Sequence, residues 1–178
     1  MKAPSNWLLS GLAASLLLWA ALRTKGGQLV LGDVLDSLGT WTARIPVALR
    51  GAFAAAAEKY NLPAGLLEAV AYRESRFRPE IIDGRVRSSV GAVGIMQIMP
   101  RWHPELGEAG ALDPKRAIPY AANYLNTLRK QFGTWPLALA AYNWGPGNLS
   151  KWQRDGGTWP AETRTYVDEI TRNAGLAT

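Results

Sequence analysis

The 178-residue chain has no cysteine, which excludes disulfides, thiolate nucleophiles and thiolate metal sites. That absence fits an oxidising compartment without requiring one. Its single histidine, His103, cannot by itself build a histidine-cluster metal site, and no serine–histidine–aspartate pattern surrounds it. Beside Pro104 it reads as a surface loop residue. No lysine/arginine run exceeds two, and neither a zinc-finger nor an RNA-binding signature occurs. Nucleic acid is therefore not an expected partner, although the net charge is +6 and the pI about 9.8. After residue 48 no alternating apolar–polar run marks a strand. No metal or organic cofactor is implied.

What the chain has instead is tryptophan, eight residues against three phenylalanines. Indole faces stack on sugar rings as readily as on bases, though most tryptophans in a domain serve packing. The basic balance favours anionic partners, including phospholipid headgroups and acidic cell-wall polymers. With 48% hydrophobic and 19% charged residues the composition is globular, and the length allows one domain plus an appendage.

The appendage is N-terminal. Trp7 to Leu22 (WLLSGLAASLLLWAAL) carries no charge. As a helix it would span about 24 Å, short of the roughly 30 Å hydrocarbon core. Interfacial Trp7 and Trp19 can make up part of the difference. No clean small-x-small cleavage site follows, so residues 1–25 are expected to be an uncleaved membrane anchor, against a signal-peptide core or a buried soluble helix. Residues 26–47 read as a spacer, with a short strand at Gln28–Leu31 and a helical turn at Asp33–Leu38, and 48–178 as the main domain.

That domain reads as all-α. Helices are expected over Ala48–Tyr60 and, with Pro63 at its start, over Ala64–Ser75. Arg78-Pro79 stops the second, and Glu80 to Ser89 reads as a polar loop turning at Asp83-Gly84. Gly91 to Pro100 reads as two glycines leading into a short apolar helix interrupted by Gln97. Asp113-Pro114 starts a helix whose stripe is Ile118, Ala121, Leu125, Leu128 and Phe132. Trp135-Pro136 opens another that breaks at Tyr142–Gly147, and Pro160 starts the last, with Thr163, Tyr166, Val167 and Ile170 on one face.

One carboxylate stands out. Leu67, Val70, Ala71 and Glu74 share a helical face, so Glu74 occupies a position where a core residue belongs. Desolvation there raises a carboxyl pKa toward the value a general acid needs near neutral pH. Glu68 lies off the stripe and reads as solvated surface. Gln97, a lone amide among Ile and Met residues, needs partners, either a neighbouring backbone or a ligand.

Four motifs in order resemble the lytic transglycosylase domain of the soluble-type (SLT) family, whose fold is goose-type-lysozyme-like. They are Glu74-Ser75-Arg76-Phe77-Arg78-Pro79, Gly94-Ile95-Met96-Gln97-Ile98-Met99-Pro100, Ala141-Tyr142-Asn143-Trp144-Gly145 and Glu162-Thr163-Arg164-Thr165-Tyr166. The resemblance covers roughly Ala48 to Asn173. Two departures lie near the expected groove: a longer loop between Glu74 and Gly94 that contains Asp83, and Arg101-Trp102 where the family commonly has Thr after Met-Pro.

The resemblance implies a peptidoglycan substrate, cut between N-acetylmuramic acid and N-acetylglucosamine. Glu74 would be general acid and then base toward the muramoyl 6-hydroxyl, giving a 1,6-anhydro product. Ser75 would hydrogen-bond near Glu74 or cap the helix end. Gln97 and Asn143 would bind acetamido and hydroxyl groups, and Met96 would pack under a sugar or belong to the core. Tyr142 would wall the site, and Tyr166 would donate its hydroxyl to Glu74. Glu162, in a helix first turn, reads as structural. The competing readings are a hydrolytic muramidase on the same fold, with Asp83 or Glu80 placing a water, and an inactive wall-binding or assembly module. The protein is expected at the membrane facing the periplasm and cell wall, in wall remodelling or a secretion or pilus apparatus, or in a virion or lysis role if phage-encoded.

Overall fold

The computed structural model describes residues 41–176, so the expected anchor at residues 7–22 and most of the spacer lie outside the described residues. From Arg44 onward the chain forms one compact unit. Its helices are α1 (Val47–Lys59), α2 (Leu66–Ser75), α3 (Pro79–Ile82), α4 (Gly107–Leu112), α5 (Pro114–Phe132), α6 (Trp135–Trp144), α7 (Pro146–Asp155) and α8 (Ala161–Asn173). Among the described residues there is no strand, only an isolated bridge between Val93 and Ile98. None of the described helices is long and apolar enough to cross a membrane.

The short helix α6 is the hub, because its alanine-rich face lets neighbours approach closely. Ala138 to Ala141 are fully buried, and α5, α7 and α8 all pack on this helix. The α5 stripe of Ile118, Ala121, Leu125, Leu128 and Phe132 is buried throughout, against α1 and α6. Asp113 caps α5 by accepting from the Lys115 N–H, and Gly133 ends it at φ +91°. The inner face of α8, Thr163, Tyr166, Val167 and Ile170, is buried where α8 crosses α6 and α2.

Several local expectations are corrected. Pro63 does not open α2; it closes a turn with Leu66, and Gly65 at φ +77° redirects the chain into the helix. The polar loop begins with the single helical turn α3, for which Pro79 supplies the fixed first φ. Pro146 likewise restarts the chain as α7 after Gly145 ends α6, where the sequence suggested only a turn. Glu68 is half-buried, with one carboxylate oxygen enclosed and without a hydrogen-bond partner among the described residues, rather than a solvated surface group.

The largest correction concerns Gly91 to Pro100, which is not helical. Val93 and Ile98 exchange both backbone hydrogen bonds, closing a tight loop over Gly94–Gln97. Gly94 (φ +77°) and Gln97 (φ +46°) both take left-handed backbone conformations. A side chain at Gly94 would drive its Cβ to 2.0 Å from the Ala111 carbonyl oxygen, so glycine is what lets this loop seat on α4. Ile95 and Met96 fill the core beneath it.

Candidate active site

Glu74 reaches its position through an unusual helix exit. α2 ends with Arg76 and Phe77 both at positive φ (51° and 54°), which β-carbon-bearing residues adopt at a cost of about 1 kcal/mol each. Three contacts hold this turn. The Ser75 hydroxyl donates to the Ala71 carbonyl and accepts from the Phe77 N–H. The Phe77 ring packs edge-on against Phe53 and tilted against Tyr72. Arg76 lies over the Tyr72 ring at 4.6 Å. The last turn of α2, with Glu74 on it, is therefore fixed from both sides.

The Glu74 carboxyl is half-buried, and Tyr166 of α8 donates its hydroxyl to Oε1 at 2.6 Å. Desolvation raises the carboxyl from 4.5 to about 7. The Tyr166 hydrogen bond and the Arg73 charge oppose that rise, while the Glu162 charge adds to it. Arg73 is held by Glu169 at 2.9 Å and lies over the Tyr166 ring. Burial and the Glu74 charge push the Tyr166 hydroxyl well above its ordinary value, so at neutral pH it remains a donor. Near pH 7 such a glutamate is divided between acid and carboxylate, which suits a group that must give a proton and take one back.

Asn143, near the end of α6, accepts from the buried Thr163 hydroxyl at 2.9 Å. That bond ties up the amide oxygen and turns the amide donors elsewhere. Tyr142 donates to the Met96 carbonyl at 2.9 Å, joining α6 to the loop over Gly94. Gln97 donates to the Gly94 carbonyl at 2.9 Å. Its amide thus serves the local backbone, and the side chain still lines the adjoining cavity.

That cavity has a volume of ≈ 680 Å³. Gln97, Tyr142 and Asn143 form one wall, while Trp102, Tyr124 and Trp144 contribute aromatic surface. Glu74 is not among its lining residues. Tyr142 joins the two regions, since it lines the cavity and its phenol feels the Glu74 charge. The arrangement is a carboxyl of tuned acidity beside an aromatic recess.

For Met96 and Ser75, burial favours the second of the two roles the sequence offered. The Met96 side chain is fully buried and packs into the core, so its contribution is the carbonyl that orients Tyr142. Ser75 is equally buried and acts as the clamp on the helix exit. Asp83 is exposed, bonded to Arg85 through both side chain and backbone, and held below the usual carboxylate range by those bonds. Glu80 is paired with Arg78 and likewise lowered. Neither lines the cavity. Glu162 is exposed in the first turn of α8.

His103 is also corrected. It is half-buried on the cavity wall, edge-on to Tyr120 and Tyr124, with Nδ1 2.7 Å from the Tyr120 hydroxyl. Tyr120 in turn donates to Glu105. Burial lowers the His103 pKa, so the ring is neutral at pH 7. Sequence reasoning also passed over Tyr120 and Tyr124, and it gave no role to Trp102, placed near the expected groove, or to Trp144, within a motif. The available signal was the Tyr120–Tyr124 spacing of four, which places both on one side of α5 beside its apolar stripe.

An all-helical domain with one desolvated glutamate beside an aromatic recess has the build of a lysozyme-like domain. The chain belongs to the transglycosylase SLT domain family, whose profile matches residues 51–163. It is 33% identical over 122 residues to the transglycosylase of Enterobacteria phage PRD1, covering 68% of this chain and 41% of that one. It is 34% identical over 134 residues to the soluble lytic murein transglycosylase of Escherichia coli K12, covering 69% and 20%. The membrane-bound lytic murein transglycosylase F of Pseudomonas fluorescens is 34% identical over 131 residues, covering 66% and 26%. Among solved structures, an inactive mutant of lytic transglycosylase Slt from Pseudomonas aeruginosa superposes with a TM-score of 0.65 at 26% identity, covering 87% of this chain and 30% of that one. The 70 kDa soluble lytic transglycosylase of Escherichia coli gives 0.62 at 25%, covering 85% and 30%. The chain thus spans less than half the length of each of these relatives.

Proposed function

We propose that this chain is a peptidoglycan lytic transglycosylase that cuts the β-1,4 bond between N-acetylmuramic acid and N-acetylglucosamine. The observation that carries the reading is Glu74, raised to about 7 by desolvation and held by the Tyr166 hydroxyl. The protonated carboxyl gives its proton to the glycosidic oxygen as the bond to the anomeric carbon breaks. The resulting carboxylate takes the proton of the muramoyl 6-hydroxyl, whose oxygen bonds to that anomeric carbon. The product is a 1,6-anhydro ring, and Glu74 ends protonated, ready for another turnover.

Most glycosidases need a second carboxylate as nucleophile or as base toward water. Here the substrate's acetamido group stabilises the cationic centre and its own hydroxyl replaces water. The commitment of Asp83 to Arg85 and of Glu80 to Arg78 supports this economy over hydrolysis. Asn143 and Gln97 act as amide contacts for the glycan, Tyr142 as the wall between carboxyl and recess, and Tyr166 as the partner that keeps Glu74 partly ionisable. The names of the relatives, all transglycosylases, agree with this activity.

Digestion of purified sacculi followed by mass spectrometry tests the reaction. Anhydro-muropeptides, each lighter by one water than the hydrolytic product, are the expected outcome. Reducing-end products alone would assign the domain to the hydrolases, and no release at all would make it a wall-binding module.

We further propose that residues 7–22 hold the domain at the membrane with its site facing the wall, a disposition that the membrane-bound Pseudomonas relative favours. Fractionation of cells expressing the full chain and a form lacking residues 7–22 checks this. Recovery of both in the soluble fraction would refute anchoring, and recovery of the full chain in purified virions would instead place it with the phage PRD1 relative.

A further inference from the structure

The segment after Pro100 carries two side chains that the fold leaves unused. Trp102 is 67% exposed although it lines the cavity. The backbone beneath it is fixed: the Trp102 N–H donates to the Met99 carbonyl, and the His103 N–H to the Pro100 carbonyl. The next ring along, His103, is wedged against Tyr120 and Tyr124. A large indole that is exposed on a fixed segment at a cavity rim contributes little to the core. Its face is available to stack on the C–H face of a pyranose ring.

Arg101 adds a charge to this platform. Its exposed guanidinium lies over the Trp102 ring, 5.1 Å from the centroid. Among the described residues it forms no ion pair, whereas Arg78, Arg85 and Arg87 of the preceding loop are paired with Glu80, Asp83 and Glu108. Stacking on an indole restrains the guanidinium plane while leaving its N–H groups free, an arrangement suited to a planar carboxylate.

We propose that Arg101 and Trp102 form a specificity element at the cavity rim, the indole stacking on an N-acetyl sugar and the guanidinium pairing with a carboxylate on the muramoyl lactyl-peptide arm. This rests on the peptidoglycan reading and adds which part of that polymer is recognised. A β-1,4 polymer of the same N-acetyl sugars without the arm engages the indole and leaves the guanidinium unpaired. The pair therefore discriminates muramoyl-bearing strands from plain ones.

The test is co-sedimentation in a Glu74→Gln background, which stops turnover, with intact sacculi, amidase-stripped glycan and insoluble chitin. Arg101→Gln should weaken binding to intact sacculi about 5-fold or more, the scale of a lost charge-assisted pair, and leave chitin binding unchanged. Trp102→Ala should weaken both. Arg50→Gln, an exposed charge on α1, should change neither. Amidase frees a lactyl carboxylate that the stem-bearing strand holds as an amide. Disappearance of the Arg101→Gln loss on stripped glycan therefore assigns the stem peptide's own carboxylates, and a persisting loss shows that the guanidinium also pairs with the freed lactyl group. Undiminished binding of Arg101→Gln to sacculi, an equal loss on chitin, or an equal loss from Arg50→Gln overturns the proposal. Thermal melts establish that each variant is folded. Because sedimentation needs no turnover, a wild type that releases no anhydro products would sink the activity and leave this test readable.

Discussion

The Tyr166 hydroxyl donates to Glu74 Oε1 at 2.6 Å, joining the middle of α8 to the last turn of α2 across 92 positions of sequence. Two opposing effects meet at that bond. Burial by α2 and α8 disfavours the carboxylate, and the donated hydroxyl favours it. Burial is the larger, which leaves Glu74 near 7 rather than near 4.5. A fully apolar pocket would push the carboxyl higher and weaken it as an acid.

Tyr166→Phe removes the donor and keeps the ring. The Glu74 pKa should rise further, so the alkaline limb of the pH–rate profile, where the proton-donating form is lost, should move to higher pH. Activity at pH 7 should fall about 10-fold, because the carboxyl loses an orienting bond and is a weaker acid. Arg73→Gln should move the limb the same way by less, since its charge is the smaller of the two lowering effects. Profiles of sacculus solubilisation for both variants check this; a limb that stays put or moves down would contradict it.

Glu74 was legible because a carboxylate broke an apolar stripe of period 3.6, and that stripe lies in the observed core. The residues from Gly94 to Pro100 were misread as helix because a short apolar run has no period to distinguish a buried turn from a buried helix. The deciding features are long-range: Ala111 occupies the space above Gly94, and Tyr142 bonds the Met96 carbonyl. For Met96 and Ser75 the sequence left a structural role open beside a site role, and burial favours the structural one. The aromatic recess beyond Tyr142 was missed because its parts are distant in sequence. His103, Tyr120, Tyr124 and Tyr142 come from three separate stretches, and only α5 packing on α6 gathers them.

Thr163 offers a separable contribution. Its hydroxyl fixes Asn143 from behind, and Thr163→Val preserves the shape while deleting that donor. The Asn143 oxygen then lacks its protein partner, at a cost of about 1–2 kcal/mol in folding stability. With Asn143 free to rotate, KM for glycan should rise about 3- to 10-fold, a change of about 1 kcal/mol in binding, with a smaller effect on kcat. Thr163→Ser, which keeps the hydroxyl, should restore both. Steady-state kinetics on soluble glycan strands and urea melts separate the two effects.

Gly94 and Gly133 both sit at positive φ, yet alanine should affect them differently. At Gly133 no atom outside the immediate chain lies within 4 Å of a built Cβ, so the loss is the conformational one, about 1 kcal/mol. At Gly94 the Cβ meets the Ala111 carbonyl at 2.0 Å, and backbone must move. Gly94→Ala should therefore cost about 3 kcal/mol or more and pull Tyr142 from its bond to Met96. Denaturation midpoints for the two variants decide it, and equal losses would mean that the loop and α4 are not in contact as described.

Glu74→Gln should separate activity from stability. Transglycosylase activity should fall by about 10²-fold or more, since the amide neither gives nor takes the proton. Stability should change in the opposite sense. Between 4.5 and about 7 the folded state holds a proton on Glu74 that the unfolded chain has already released. Stability of the wild type therefore falls as pH rises through that window and remains lowered above it. The penalty is on the order of 1–3 kcal/mol for this half-buried group, and glutamine does not incur it. At pH 8 the variant should melt several degrees above the wild type, with the gap closing as pH falls below 4.5. A variant destabilised at pH 8 would mean that the carboxylate is stabilised in place, and the case for Glu74 as a poised acid would fail with it.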